Sequence, residues 1–512
     1  MRERVLRGLR RAGRAGSRWP KTGKRGARPR IPRPLAGLLI AVALFGIAWA
    51  LLVPPFQAPD EDSHFAYVQT LAEQHALPGS GPQPVSNAVY ALVAASGAPV
   101  EELGAGPMDM SATVYRTWLA QAPHESQSDG GGANRASGYP PAYYVLETLG
   151  YVLAGPHANI ADHLYAVRLM SVVWLLLTTI GVWLLAGELT GRRRELQLVA
   201  AACVGLWPMV TFISASVNPD SLLYAGWAWV LWAGVVILRR GITPRRAIAL
   251  AGFTALAMLT KASSIALLPA VAFVLAVGLW RLGRPIVRRA LIGGGLALAV
   301  LAVALLVAGP GHLAPGGWYS HASAITGIGN GFNIREFLSY VWEYYLPRLP
   351  GQQPHYLDLP VISSYPAYQV WVASGWAAFG WVDVWFPRGI YALFLAITVL
   401  VGVTALAKLA YVSFRARHSS LLMRQGVPIA VFFALAFVVL LGGLHLSEFE
   451  AGGPFNQGRY LFPLAGLAGC AVALALTTLP RRVLHAGVGV VLAGLVVLQF
   501  ACLGLEAASC YA

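Results

Sequence analysis

The sequence predicts an all-α integral membrane protein with about eleven transmembrane helices and two large extracytoplasmic loops. Three observations carry that expectation. Hydrophobic residues make up 57% of the 512-residue chain and charged residues only 12%, against roughly a quarter charged in an ordinary soluble domain. Mean hydropathy is +0.59, and apolar runs recur at lengths that cross a hydrocarbon core. The basic residues alternate across those runs in the sense that orients membrane proteins.

The chain opens with a basic tail, residues 1–34. Its first 33 residues hold thirteen Lys or Arg against a single acid, Glu3. Such a run is solvated chain that touches anionic headgroups and fixes orientation. The net charge of +16 therefore belongs to membrane topology, and no nucleic-acid partner is expected, because no fold or aromatic platform accompanies the tail. The run from Leu35 to Val53 is long enough to span, and no small-residue cleavage pattern follows it. It reads as a retained span and not as a signal peptide.

Further spans are expected near 164–187, 196–216, 220–238, 290–309, 389–409, 427–446, 461–479 and 484–504. The stretch 247–280 is longer than one span needs and is interrupted by Thr260-Lys261-Ala262-Ser263-Ser264. It reads as two short spans with Lys261 at the turn. With the N-terminus inside, seventeen of the twenty-five basic residues beyond the tail fall in cytoplasmic loops, whereas Glu188 and Glu195 are the only acids there. The resulting organisation is an N-terminal membrane module, 35–309, holding the first outer loop, 54–162. A second outer loop, 310–388, and C-terminal membrane helices, 389–504, complete it.

In the first outer loop Asp60 to Glu73 reads as helix, and the Gly/Ser/Pro-rich stretch through Gly138 as mobile loop. The second is rich in aromatics, among them Trp318, Tyr319, Trp342, Tyr344, Tyr345, Trp371, Trp376, Trp381 and Trp385. Interface anchoring suits most of them, with a sugar-stacking surface as the sharper alternative. Cys203 and Cys470 lie in apolar runs and pack there. Cys502 and Cys510 are close enough in sequence for a pairing outside the membrane to be considered.

The segment richest in chemistry is Pro54-Pro55-Phe56-Gln57-Ala58-Pro59-Asp60-Glu61-Asp62-Ser63-His64, just outside the first span. Pro59 is placed as the first helical residue, which puts three acids in the first turn. There they complement the helix dipole, or one acts as a general base while a neighbour orients a metal or substrate. Asp60 and His64 share a helical face, and Glu61 projects about 100° away. Lys261 is the only lysine expected on the outer side. A cation in an apolar stretch snorkels or has an anionic partner such as a lipid phosphate. Arg459, in Asn456-Gln457-Gly458-Arg459-Tyr460-Leu461-Phe462-Pro463, sits at the outer edge where a guanidinium can hold a phosphate, unless Glu448 or Glu450 takes its charge. Arg168 is placed likewise, with Asp162 as an alternative partner. In Val217-Asn218-Pro219-Asp220, Asn218 caps and Pro219 starts a helix, leaving Asp220 facing the same outer cleft. His312, His321 and His355 show no metal-ligand spacing, and no phosphate-binding loop, dinucleotide fingerprint or nucleophile elbow is present.

The motifs PPFQAPDEDSHF, NPD, LTKASS and NQGRYLFP, in that order over roughly 35–480, resemble the bacterial membrane family catalogued as domain of unknown function 2142. That family is similar to the GT-C glycosyltransferase superfamily. The resemblance implies a multi-pass bacterial cell-membrane protein with its active side extracytoplasmic. It implies transfer of a sugar from a polyprenyl-phosphate donor to a cell-envelope glycan or lipid acceptor, with inversion. Asp60 or Glu61 would be the base. Lys261, Arg459, Tyr460 and Arg168 would hold the donor phosphate, with His64, Asn218, Asp220 and Gln457 lining the cleft. A divalent metal, Mg or Mn, on Asp60 and Glu61 is an open option. A transporter or flippase of a lipid-linked glycan, or a noncatalytic envelope-assembly protein, are the competing readings; the Lys261 break has no twin of the kind paired transporter halves show.

Overall fold

A computed structural model describes residues 31–77, 83–97, 111–121, 132–282, 332–354, 362–420, 422–451 and 456–511. The chain enters as α1 (Arg33–Leu52), apolar along its length, and turns through Pro54–Pro59 into α2 (Glu61–Gln74). The first outer loop is more ordered than its composition suggests. Strand β1 (Gln83–Val85) leads to α3 (Asn87–Ser96), followed by α4 (Ala112–Gln121) and by β2 (Gly132–Asn134). The two strands pair antiparallel, with Pro84 opposite Ala133, so this all-helical plan carries one small two-stranded sheet. The expectation of a mobile loop fails at α3 for a local reason. The Ser86 side chain caps the helix by accepting from the Val89 N–H, and Val89, Leu92 and Val93 are buried on one face.

Next comes α5 (Ala142–Ala154), thirteen residues and too short to cross. Its Tyr143, Tyr144, Glu147 and Tyr151 are buried, while Val145, Leu149, Val152 and Leu153 are exposed. That apolar outer face suits a helix lying in the membrane interface. The long α6 (Ile160–Leu189) begins with a reciprocal cap between Asn159 and Asp162. Then α7 (Arg194–Gly205) and α8 (Pro208–Ser214) meet at 58° across a short break. Pro208 cannot continue the backbone ladder of α7, and the Thr211 hydroxyl caps the break by donating to the Gly205 and Trp207 carbonyls.

Helix α9 (Asp220–Arg240) is the centre of the bundle: 89% of its apolar window is buried, against α6, α10 (Pro244–Met258) and α11 (Leu267–Trp280). Between α10 and α11 the chain breaks at Leu259–Lys261 and resumes as a tight turn over Ala262–Ala266. Helix α12 (Ile334–Tyr345) belongs to the second outer loop, and α13 (Arg388–Arg415), α14 (Val427–Ala451), α15 (Ala465–Leu476) and α16 (Arg481–Tyr511) close the bundle.

Among the described residues eight helices are long and apolar enough to span, or nine with the bent pair. The expected eleven also count α10, which is too short by itself, and 290–309, which lies outside the described residues. Cys502 and Cys510 do not pair. They are buried free thiols eight positions apart on α16, roughly 12 Å along a helix and far beyond disulfide reach.

Of the described aromatics of the second outer loop, Tyr344 and Trp381 are buried, whereas Trp342 and Tyr345 are exposed. Tyr340 and Tyr345 hydroxyls hydrogen-bond the two ring nitrogens of His445 at 3.1 and 2.8 Å, and Trp376 stacks on Phe394. Trp381 donates to the Phe56 carbonyl. Trp318, Tyr319, His312, His321 and His355 lie outside the described residues.

Candidate functional site: a cleft of interleaved charges at the membrane edge

The turn after α1 sets the site. Helix α2 starts at Glu61, two residues after Pro59, the expected first helical residue, because Asp60 adopts φ +63° and cannot be helical. Left-handed backbone is unusual for a residue with a Cβ and persists only when the surroundings impose it. Here they do. The Phe56 carbonyl accepts from Trp381, and the Gln57 amide donates to the Cys510 sulfur at 3.1 Å.

Glu61 is the main anchor. Its Oε1 accepts from Arg168 Nε at 2.7 Å and from the Val217 N–H at 2.9 Å; its Oε2 accepts from Arg168 Nη2 at 2.5 Å and from the Phe56 N–H at 3.1 Å. Arg168 spends its remaining N–H groups on the carbonyls of Ala50, Val53 and Pro54. Both side chains are fully buried. All five donors of the guanidinium and both oxygens of the carboxylate are therefore satisfied inside the protein. This corrects the placement of Arg168 at the donor phosphate, for which it has no free N–H. Its partner is also not Asp162, which caps α6.

Asp60 lies beside Glu61 in sequence but faces the other way. Its side chain is 46% exposed and does not cap its own helix; Oδ2 accepts from Arg459 Nη2 at 2.9 Å. Arg459 is almost wholly buried, with Nε and Nη1 sealed and unpartnered. It is neither Glu448 nor Glu450 that takes its charge; Glu448 accepts from the Asn456 N–H. A close backbone approach holds Arg459 in place. A Cβ on Gly458 would sit 2.5 Å from Gly375 Cα and N, so only glycine fits there. The Gly458 N–H donates to Ser374 Oγ, and the Arg459 carbonyl accepts from Tyr224. Half-buried Gln457 precedes this turn, its carbonyl accepting from the Tyr460 N–H.

The second ion pair comes from the broken span. Lys261, delivered by the break before α11, donates to Asp220 Oδ1 at 2.6 Å, while Asp220 Oδ2 is buried and unpartnered. Asn218 orients this corner: Oδ1 accepts from the Asp220 N–H and Nδ2 donates to the Pro59 carbonyl. The helix begins at Asp220, with Pro219 just before it. The Tyr460 ring lies beside both cations, 5.2 Å from Lys261 Nζ and 5.3 Å from the Arg459 guanidinium. Such spacing is cation–π range.

His64, one turn into α2, is buried behind Asp60 with Nδ1 against the Tyr144 hydroxyl at 2.9 Å. Tyr144 in turn stacks on Tyr67, and Tyr139 meets the His64 ring edge-on. Burial brings the His64 pKa down to about 4, against an opposing pull from Asp60. For Asp60, burial raises the pKa, but the charge and hydrogen bond of Arg459, with His64 and Lys261, outweigh it and hold the carboxyl below its ordinary value. Burial pushes the Tyr139 phenol up to about 12.

The structure thus gathers Asp60, His64, Asn218, Asp220, Lys261, Arg459 and Tyr460 at one cleft and sends Glu61 and Arg168 into the buried anchor beside it. Tyr139, Tyr144, Tyr224 and Ser374, which support the site, carry no spacing signal that sequence reasoning could have used. The open option of a divalent metal on Asp60 and Glu61 does not fit, because Glu61 has no acceptor left to offer. Among the described residues no group of three His, Cys, Asp or Glu is placed to hold a metal.

A bent and broken multi-span bundle with a charged cleft at one membrane edge defines a polytopic membrane protein with a built polar site. The chain matches, over residues 43–468, the family described as "Predicted membrane protein (DUF2142)", and it belongs to that family. Solved structures that it resembles include ArnT from Cupriavidus metallidurans bound to undecaprenyl phosphate, at 16% identity and TM-score 0.41, covering 88% of this chain and 62% of that one. Another is the oligosaccharyltransferase AglB from Archaeoglobus fulgidus with an inhibitory peptide and a dolichol-phosphate, at 12% identity and TM-score 0.45, covering 93% and 56%. This chain spans about three fifths of their length, and similarities at these TM-scores decide nothing about its chemistry. No curated protein matches the chain.

Proposed function

We propose that the protein is a membrane glycosyltransferase that moves a sugar from a polyprenyl-phosphate donor to a cell-envelope acceptor at the outer face. One observation carries this reading: a half-exposed carboxylate, Asp60, shares a cleft with Lys261 and with a buried arginine whose Nε and Nη1 have no protein acceptor. Buried charged donors left unpaired are costly, and a phosphate group is the chemistry that matches them. The positive-inside pattern supports the outer face.

Asp60 is the base, and Glu61, fully hydrogen-bonded, is structural. Asp60 takes the proton of the acceptor hydroxyl, and the acceptor oxygen bonds to the anomeric carbon from the side opposite the phosphate. The bond from that carbon to the phosphate oxygen breaks, its electron pair leaving with the phosphate. One displacement gives inversion. Charge grows on the departing phosphate, where Lys261 and Arg459 stabilise it in surroundings of low dielectric. The Tyr460 ring is within cation–π reach of both. His64, kept neutral, supports the wall behind Asp60 without adding a competing positive charge.

The test is release of polyprenyl phosphate from a panel of polyprenyl-phosphate sugars, read by mass spectrometry, for wild type and a folded Asp60→Asn variant. Release by wild type alone is expected. Equal release by Asp60→Asn would remove the assigned base, and binding of donor with no release from any member would favour a transporter.

A further inference from the structure

Two arginines of this chain can be compared directly. Arg168 satisfies five of five N–H groups within the protein, whereas the contacts of Arg459 run through Nη2 to Asp60, and Nε and Nη1 are sealed inside without acceptors. A guanidinium grips an oxyanion through one of two forks, Nε with Nη2 or Nη1 with Nη2. Each fork takes one of the two N–H groups on Nη2, and Asp60 engages that nitrogen; with Nε and Nη1 sealed inside, the side of the guanidinium open to an arriving oxyanion is the one that Asp60 covers. A phosphate reaching Arg459 from the cleft therefore meets a carboxylate already in position. Lys261 is different, since an ammonium has three N–H groups and Asp220 uses one. Lys261 can take a phosphate without surrendering its partner.

We propose that Asp60 and the donor phosphate compete for Arg459, so that the Asp60–Arg459 ion pair is a resting latch and donor binding sets the base free. This rests on the reading of the cleft as a donor site with Asp60 as base. In the resting pair the carboxylate is bound to the guanidinium and held at low basicity by it, with Lys261 adding to the effect. Seating the phosphate on Arg459 removes the hydrogen bond and brings a negative charge close by, and both changes make Asp60 a stronger base. The motion is small. The backbone at Asp60 is fixed by its pinned neighbour Glu61, so opening is a rotation of one half-exposed side chain. The consequence is order: donor first, acceptor activation second.

The experiment measures binding of farnesyl phosphate, a short polyprenyl monophosphate, to the purified full-length protein in detergent by titration calorimetry. Removing the competitor should tighten binding, so Asp60→Asn and Asp60→Ser are expected to bind at least about threefold more tightly than wild type. Asp62→Asn, which removes a charge two positions along, should stay within about twofold of wild type. Wild-type binding with no gain in either Asp60 variant overturns the latch and leaves the donor site standing. An equal gain in Asp62→Asn also overturns it, because general charge would then explain the effect. Absence of binding by every variant removes the donor site, and the latch with it.

Discussion

Glu61 and Asp60 are neighbours of similar chemistry to which the structure gives opposite work, and Glu61→Gln exposes the difference. The substitution keeps the shape of the side chain but removes its charge and turns one acceptor oxygen into a donor. Whichever oxygen is replaced, that donor faces one Arg168 N–H and one backbone N–H, of Val217 or of Phe56, all of which donate already. Arg168 is left charged and fully buried. Breaking a buried ion pair by removing one partner costs about 3–5 kcal/mol, and this pair ties together the end of α1, the start of α2, α6 and the approach to α9. Asp60→Asn removes a carboxylate that is half in water and keeps an oxygen that can accept from buried Arg459, so it should cost about 1 kcal/mol.

Thermal unfolding in detergent, with gel filtration for monodispersity, reads both. Glu61→Gln should lower the midpoint sharply and Asp60→Asn hardly at all, while release of polyprenyl phosphate is lost in Asp60→Asn. The double variant Glu61→Leu/Arg168→Met should be less destabilised than the two single changes added together. It recovers only in part, because the carbonyls of Ala50, Val53 and Pro54 lose their donor. A Glu61→Gln protein that unfolds like wild type yet releases no lipid phosphate would refute this reasoning and return the base to Glu61.

Other expectations follow from the same geometry. Gly458→Ala forces a Cβ onto the backbone of Gly375, at about 1–3 kcal/mol of overpacking; the midpoint should fall and farnesyl phosphate binding weaken as Arg459 shifts. Lys261→Met leaves Asp220 buried without its partner and should lower both stability and binding, whereas Lys261→Met/Asp220→Asn should regain stability but not binding. The pH dependence has a definite sign at His64, whose pKa drops from 6.5 to about 4 in the fold. Between those values the unfolded chain takes a proton that the folded site refuses. Stability is therefore full above pH 6.5 and falls as the pH drops toward 4, by about 3 kcal/mol in all. His64→Gln should flatten the midpoint-against-pH curve between 6.5 and 5. Asp60 acts in the same direction at lower pH, since its lowered pKa contributes stability above 3.8 that is lost on acidification.

Features that depend on local composition are legible along the chain. Apolar length and the side on which arginines gather identify the spans, because transfer into a bilayer is paid residue by residue along one helix. The broken span at Lys261 was legible for the same reason, as a polar interruption in an apolar run, and so was membership of a recognisable ordered set of motifs. The small sheet and α3 were hidden inside a stretch whose glycines and prolines dominate its average, although the Ser86 cap was there to read.

The partnerships were not legible. Arg168 meets Glu61 across 107 positions and Arg459 meets Asp60 across 399; no spacing rule reaches that far, and Asp162, Glu448 and Glu450 were nearer alternatives in the chain. Asp60 and Glu61 could be exchanged in any argument from residue type. Only the tertiary structure separates them, because a left-handed turn at Asp60 points one carboxylate to the cleft and drives the next into a buried cage of donors.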